Sequence, residues 1–231
     1  MNDKVKNIFA ICIGILPIHI FMIWYRLNQT KAFTTFDMLV YPLIFGSGSI
    51  LLISALNKYL LNKKLNDFNS GKSTWYKDIL VGLILTVIYF LLMFIEKPTL
   101  MKILPQGKPP SRETINMMID LAHHPILLAI WLGPVVWIGV ALFEELARTF
   151  FLNCLWRLED SKAWAIFSII IVSIFVGMVH LYQGMFGIVS IGIQGLVIGF
   201  YYYKYRRLLP LIVSHALYDS IQIITFVVQV S

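Results

Sequence analysis

Long apolar runs separated by short polar connections make up most of the chain. Runs near spanning length, about 20 residues, fall at residues 7–25, 37–61, 79–95, 125–156, 162–182, 185–203 and 210–230. Their apolar positions are continuous rather than alternating, which predicts membrane-spanning helices and excludes a β-barrel. The fourth run is too long for one straight span at about 1.5 Å per residue. Gly133-Pro134 inside it predicts a kink or a break, so the pattern allows seven or eight helices. The expected fold is all-α, a polytopic membrane helix bundle, with residues 1–231 as a single integral membrane domain.

The polar connections predict an orientation. Residues 57–77 carry Lys58, Lys63, Lys64, Lys72 and Lys77 against Asp67 and the adjoining Asp78. Short basic connections stay on the cytoplasmic side. Two runs precede this one, so the N-terminus is expected there too. Lys204-Tyr205-Arg206-Arg207 reads as a second cytoplasmic connection. Residues 96–124 are polar and Pro-rich and read as an outside loop, although Lys97, Lys102, Lys108 and Arg112 work against that assignment. The first run follows Lys4 and Lys6 as a signal peptide would. It lacks a small-residue cleavage site and contains Pro17 and His19, so it reads as a retained membrane helix. No internal repeat or low-complexity segment is visible.

Composition agrees with this pattern. Of 231 residues, 58% are hydrophobic and 13% charged, with a mean hydropathy of +0.77; soluble domains are about 25% charged. The net charge of +7 is carried by basic residues in the connections, where it serves orientation and anionic headgroups. The partner it implies is the lipid bilayer, not nucleic acid. Cys12 and Cys154 lie far apart in or beside apolar runs, without metal-ligand spacing. They read as small apolar filler.

Ionisable residues inside apolar runs carry the candidate chemistry, because each is expensive at bilayer depth unless paired or hydrated. Glu144 and Glu145 are adjacent, and Arg148 follows at helical spacing from both. One glutamate can pair with Arg148. The other, beside a like charge in a dry site, is suited to accept a proton as a general base. The bland alternative, a Glu–Arg pair tying helices together, leaves one carboxylate without a role. His180 ends the fifth run, where a lone histidine can be a satisfied interfacial side chain. His215 and Asp219 stand four residues apart, on one helix face. Glu144, His180 and His215 are expected to converge within reach of one water or metal, since a shared hydrated pocket satisfies all three. On straight helices the two histidines fall at different depths, so a kinked fourth helix or a long fifth helix is required.

Other features read as structural. Gly195 and Gly199 form a GxxxG contact face, extended by Gly187 and Gly192. Trp75, Trp131, Trp156 and Tyr201-Tyr202-Tyr203 read as interface anchors. His123 and His124, before Pro125, read as solvated. His19 is left unassigned.

At Glu144-Glu145, Arg148, His180, His215 and Asp219 the chain resembles the CPBP intramembrane protease family, also called Abi, of CAAX proteases and bacteriocin-processing enzymes. The likeness covers residues 125–222; the first three runs are generic. The family pattern is Glu-Glu-x-x-x-Arg, then Phe-x-x-x-His, then His-x-x-x-Asn/Asp. Here two residues, not three, separate Glu145 from Arg148, and Val176 takes the usual Phe position while Phe175 precedes it. Helix geometry tolerates the first change, since i+3 and i+4 share a face.

The resemblance implies a peptide hydrolase acting on a peptide or protein substrate within or at the membrane. In it Glu144 and His180 activate the attacking water, His215 and Asp219 hold the scissile carbonyl and its oxyanion, and Glu145 and Arg148 form a supporting pair. An ionised Asp219 cannot donate a hydrogen bond, so either it is protonated or it orients His215. Two mechanisms stay open. Glu144, His180 and His215 can be ligands of a zinc or other divalent ion, as in a metalloprotease, or they can work without metal. CaaX-type processing and bacteriocin-related processing are both implied roles. The rivals are a non-catalytic immunity or partner-binding protein on the same fold, and a proton-coupled transporter, which usually shows inverted repeats.

Overall fold

The computed structural model of the protein describes residues 1–28, 34–105 and 112–230. Its helices are α1 (Asp3–Gly14), α2 (Leu16–Asn28), α3 (Thr35–Ala55), α4 (Trp75–Ile103), α5 (Arg112–His123), α6 (Pro125–Ile130), α7 (Phe143–Trp156), α8 (Lys162–Val179), α9 (Gly184–Tyr205) and α10 (Leu209–Val230). A stretch with π-type turns, Trp131–Leu142, joins α6 to α7. There is no strand among the described residues. Among the described residues seven stretches are long and apolar enough to cross a membrane: Asp3–Trp24, Thr35–Leu60, Trp75–Ile103, Pro125–Trp156, Lys162–Val179, Gly184–Tyr205 and Leu209–Gln229. Leu51, Val87, Phe94 and Ile174 on these stretches are exposed, as lipid-facing side chains are. The fold is an all-helical, multi-pass membrane bundle.

Two prolines shape it. Gly133 leaves helical geometry (φ −91°, ψ −107°) immediately before Pro134, which lacks a backbone donor and clashes with the carbonyl four residues back. The fourth span is therefore one kinked element, and it delivers α7 to the middle of the bundle. Ten of the fourteen residues of α7 are buried, and α7 packs against α1, α3, α8 and α9. Pro17 acts similarly on the first span, which divides at Ile15 into α1 and α2.

Glycines permit the closest helix contacts. A Cβ on Gly46 of α3 would lie 2.5 Å from the Gly139 carbonyl oxygen. On α9, a Cβ on Gly199 would meet Ile169 at 2.5 Å, and one on Gly195 would meet Ser173 at 3.2 Å. The GxxxG face thus packs on α8, as small-residue faces do where apolar burial gives no drive between helices. Gly192 also faces Ser173, whereas Gly187 lies against Gln183.

Residues 96–124 do not form a simple loop. Helix α4 continues through Pro98 to Ile103, and α5 follows at Arg112. Lys108 lies outside the described residues. The continuation has a physical reason: Glu96 is buried and accepts a 2.7 Å hydrogen bond from the Ser190 hydroxyl on α9. The fifth run also ends earlier than its hydropathy predicts, at Val179, and a short 3₁₀ turn, Leu181–Gln183, leads into α9. His123 and His124 are exposed and bond backbone carbonyls of their own helix, as solvated histidines would.

The two basic connections meet on one face. Arg207 pairs with the Asp78 carboxylate and donates to the carbonyls of Asn69 and Gly71 at 2.8 and 3.0 Å. The Asn69 side chain accepts from the backbone N–H groups of Leu208 and Leu209, closing the start of α10. Arg206 stacks over the Trp156 ring at 4.1 Å. Cysteines placed at the exposed Ser70 and Lys204 are expected to react with an impermeant maleimide from the same side of sealed vesicles. Labelling from opposite sides would contradict this arrangement.

Candidate functional site

Adjacent residues of an α-helix point about 100° apart, a consequence of 3.6 residues per turn. The glutamate pair of α7 therefore cannot serve one direction, and the structure sends the two carboxylates to different partners. Glu145 is wholly buried. Both its oxygens accept from Arg148 Nη1 at 2.9 Å, and its Oε1 lies 2.8 Å from His215 Nδ1 on α10. His215 Nε2 lies 3.5 Å from Asp219, one turn further along α10. Arg148, Glu145, His215 and Asp219 thus form one chain of charge contacts linking α7 to α10. A neutral imidazole can donate to only one of its two carboxylates; a doubly protonated ring donates to both.

Glu144 turns the other way, into a cavity of about 20 Å³, room for about one water molecule. The polar side chains lining it are Glu144, His180, His19 and Arg148; Phe143, Phe151 and Phe175 are among the apolar ones. The cavity is therefore a partly open polar spot bordered by aromatic rings and lined by a carboxylate and an imidazole. His180 Nδ1 lies 2.9 Å from the Val176 carbonyl. A carbonyl only accepts, so Nδ1 carries the proton and Nε2 of the neutral ring holds the lone pair. Glu144 is also within Coulombic reach of His215, so the cavity and the charge network are neighbours.

The expected convergence is therefore partial. Glu144 and His180 share the cavity, while His215 is bound to Glu145 beside it. Of the two devices expected to bring the histidines together, the kink in the fourth span is present and a long fifth helix is not. On the fourth span, Glu145 contacts His215 and Glu144 lines the cavity together with His180. The predicted Glu145–Arg148 pair and the common face of His215 and Asp219 are both present.

The zinc arrangement is not assembled. Among the described residues no group of three or more His, Cys, Asp or Glu side chains is placed to hold a metal ion. The chemical reason lies in His215, whose two ring nitrogens both face carboxylates, so it does not offer a nitrogen to an ion shared with Glu144 and His180. That set does not fit a three-ligand metal centre.

Two functional candidates escaped the sequence reading. His19 of α2 lines the cavity and is buried. The cost of an ionisable group inside an apolar run applied to it as much as to His180. Glu96 was assigned to a loop and is instead a buried carboxylate within helix α4.

Residues 126–221 match a family model described as type II CAAX prenyl endopeptidase Rce1-like. No curated protein and no solved structure matches the chain. The matched segment contains α7, α8, α9 and the part of α10 that bears His215 and Asp219; it leaves out α2, which bears His19. Over this segment, a little over two fifths of the chain, the protein is similar to the CAAX protease family.

Removing Arg148 leaves the carboxylate of Glu145 buried without its guanidinium, at a cost of about 3–5 kcal/mol. Arg148→Ala is expected to lower both folded yield in detergent and melting temperature. A variant as thermostable as the wild type but inactive would instead assign Arg148 a direct part in the chemistry.

Proposed function

We propose, from the similarity of residues 126–221 to CAAX prenyl endopeptidases, that the protein is an intramembrane endopeptidase that hydrolyses a peptide bond with a water activated by Glu144 and His180. The single observation that carries this reading is the cavity in which Glu144 and His180 face a water-sized space. A bundle built only for partner binding or immunity has no need to keep a carboxylate and an imidazole together in hydrocarbon, where each is expensive unless it serves a purpose. No inverted repeat favours a transporter.

In the proposed reaction the water oxygen attacks the scissile carbonyl carbon while one water proton passes to the Glu144 carboxylate. His180, its Nδ1 held by Val176, orients the water through Nε2. The carbonyl oxygen becomes an oxyanion as the tetrahedral intermediate forms. The long contact between His215 Nε2 and Asp219 is the one able to yield its N–H to that oxygen, whereas the Nδ1 contact to Glu145 stays in place. Glu144 then returns its proton to the leaving nitrogen as the C–N bond breaks. Glu145 and Arg148 hold His215 and take no part in proton transfer.

The substrate is a peptide or protein segment at the membrane. A prenylated CaaX C-terminus is the first class to try, because the matching family's description names prenyl endopeptidases; bacteriocin-related processing is the second. Orientation follows the lysines of residues 57–77, with the N-terminus and both basic connections in the cytoplasm.

The test is cleavage of fluorogenic peptides, prenylated and unprenylated, by purified protein in nanodiscs. Glu144→Gln keeps the side-chain shape and removes proton acceptance, and is expected to reduce the rate by a factor of about 100 or more. Near wild-type cleavage by that variant would sink the assignment. Activity is also expected to survive EDTA. Its loss on chelation and return on adding zinc would overturn the metal-free mechanism.

A further inference from the structure

We infer that His19, on the first membrane span and outside the matched segment, is a second catalytic imidazole that holds the attacking water together with Glu144 and His180. The inference rests on the protease reading above and extends its site to a helix that the motifs do not reach.

Three observations carry it. The first is position: His19 lines the same small cavity as Glu144 and His180 and lies within Coulombic reach of both. A space for about one water lined by Glu144, His180 and His19 gives a water there a carboxylate and two imidazoles as candidate partners.

The second is ring orientation. His19 Nδ1 lies 2.7 Å from the Ile15 carbonyl, whereas the His19 backbone N–H is 3.4 Å from the same oxygen. The ring, not the backbone, is that carbonyl's closer partner, at the point where Pro17 divides the first span. His180 is held the same way, by the carbonyl four residues back. Both rings therefore carry their proton on Nδ1 when neutral and keep Nε2 as the acceptor. Of the two hydrogens of one water, Glu144 takes the one it abstracts, and the other is shared between the Nε2 lone pairs of His19 and His180.

The third is confinement. His19 is only 8% exposed, and its ring lies 5.2 Å from Phe175 and 6.0 Å from Phe143 between centroids. These aromatic neighbours restrict the ring without supplying a polar partner. A histidine kept only for packing would be replaced at less cost by phenylalanine, which needs no hydrogen bond at that depth.

The groups lining the cavity that can hold charge are Glu144, His180, Arg148 and His19. With Arg148 engaged by Glu145, Glu144 is the carboxylate that His19 and His180 face across the cavity.

The experiment compares wild type, His19→Phe, His19→Gln and Glu144→Gln in nanodiscs. Phenylalanine keeps the packing against Phe143 and Phe175; glutamine keeps a polar side chain without an imidazole base. Both His19 variants are expected to keep the wild-type melting temperature and KM and to lose kcat by about tenfold or more. Imidazole nitrogen NMR supplies a readout that needs no turnover: the His19 ring signals are expected to shift on Glu144→Gln. If wild type cleaves, Glu144→Gln is silent and His19→Phe or His19→Gln matches wild type, the role of His19 is overturned and the protease reading stands. His19 signals unchanged by Glu144→Gln would overturn the shared water site whatever the activity. If the signals shift but wild type cleaves no peptide, the protease reading falls and takes the catalytic role of His19 with it.

Discussion

A wholly buried carboxylate, Glu145, fixes the geometry on which the rest of the site depends. In hydrocarbon such a group is tolerated only with close compensation, and it has two partners: Arg148 on its own helix and His215 on α10. The contact to His215 joins two helices and sets the rotation of α7 about its axis. With that rotation fixed, Glu144 must point about 100° away, toward α8 and α2. The direction of the proposed general base is thus a consequence of where its neighbour is paired. This explains why a glutamate pair serves where one glutamate would not: one carboxylate orients the helix and the other remains available for chemistry.

The surrounding architecture keeps that rotation in place. The kink at Gly133-Pro134 lets the fourth span begin outside the bundle and finish at its centre. The glycine contact between Gly46 and Gly139 brings α3 against the kinked stretch at backbone distance, so the stretch cannot slide without a clash. At the far end, Arg207, Asp78 and Asn69 join the start of α10 to the connection before α4. His215 stands less than two turns from that junction, and its height relative to Glu145 is set by it.

The seven spans were legible in the sequence because continuous apolar length is a strong signal that needs no tertiary information. The ends of the spans were less legible. Glu96, Lys97 and Pro98 are poor membrane-helix residues taken singly, and only the hydrogen bond from Ser190, some ninety residues away, explains why α4 continues past them. In the site, the residue types and the Glu145–Arg148 pair could be read from helical spacing. The division of labour between the two histidines could not, because it depends on the rotation of α7. His19 was illegible for a related reason: one histidine in a generic first helix carries no spacing pattern, and its meaning comes only from the cavity it shares.

Asp219 illustrates how the charge network and the chemistry constrain each other. The family pattern admits Asn or Asp at this position, and an amide there could donate to a substrate oxygen, which an ionised carboxylate cannot. Here the carboxylate faces His215 Nε2, whose ring already faces Glu145 through Nδ1. Two carboxylates balanced by one guanidinium leave a net negative charge, and an imidazolium between them restores neutrality while satisfying both contacts. Asparagine at this position would remove that need and supply a donor of its own. In the proposed reaction the aspartate therefore transfers the donor function from residue 219 to the ring of His215, so that the oxyanion donor is the histidine and Asp219 acts through it.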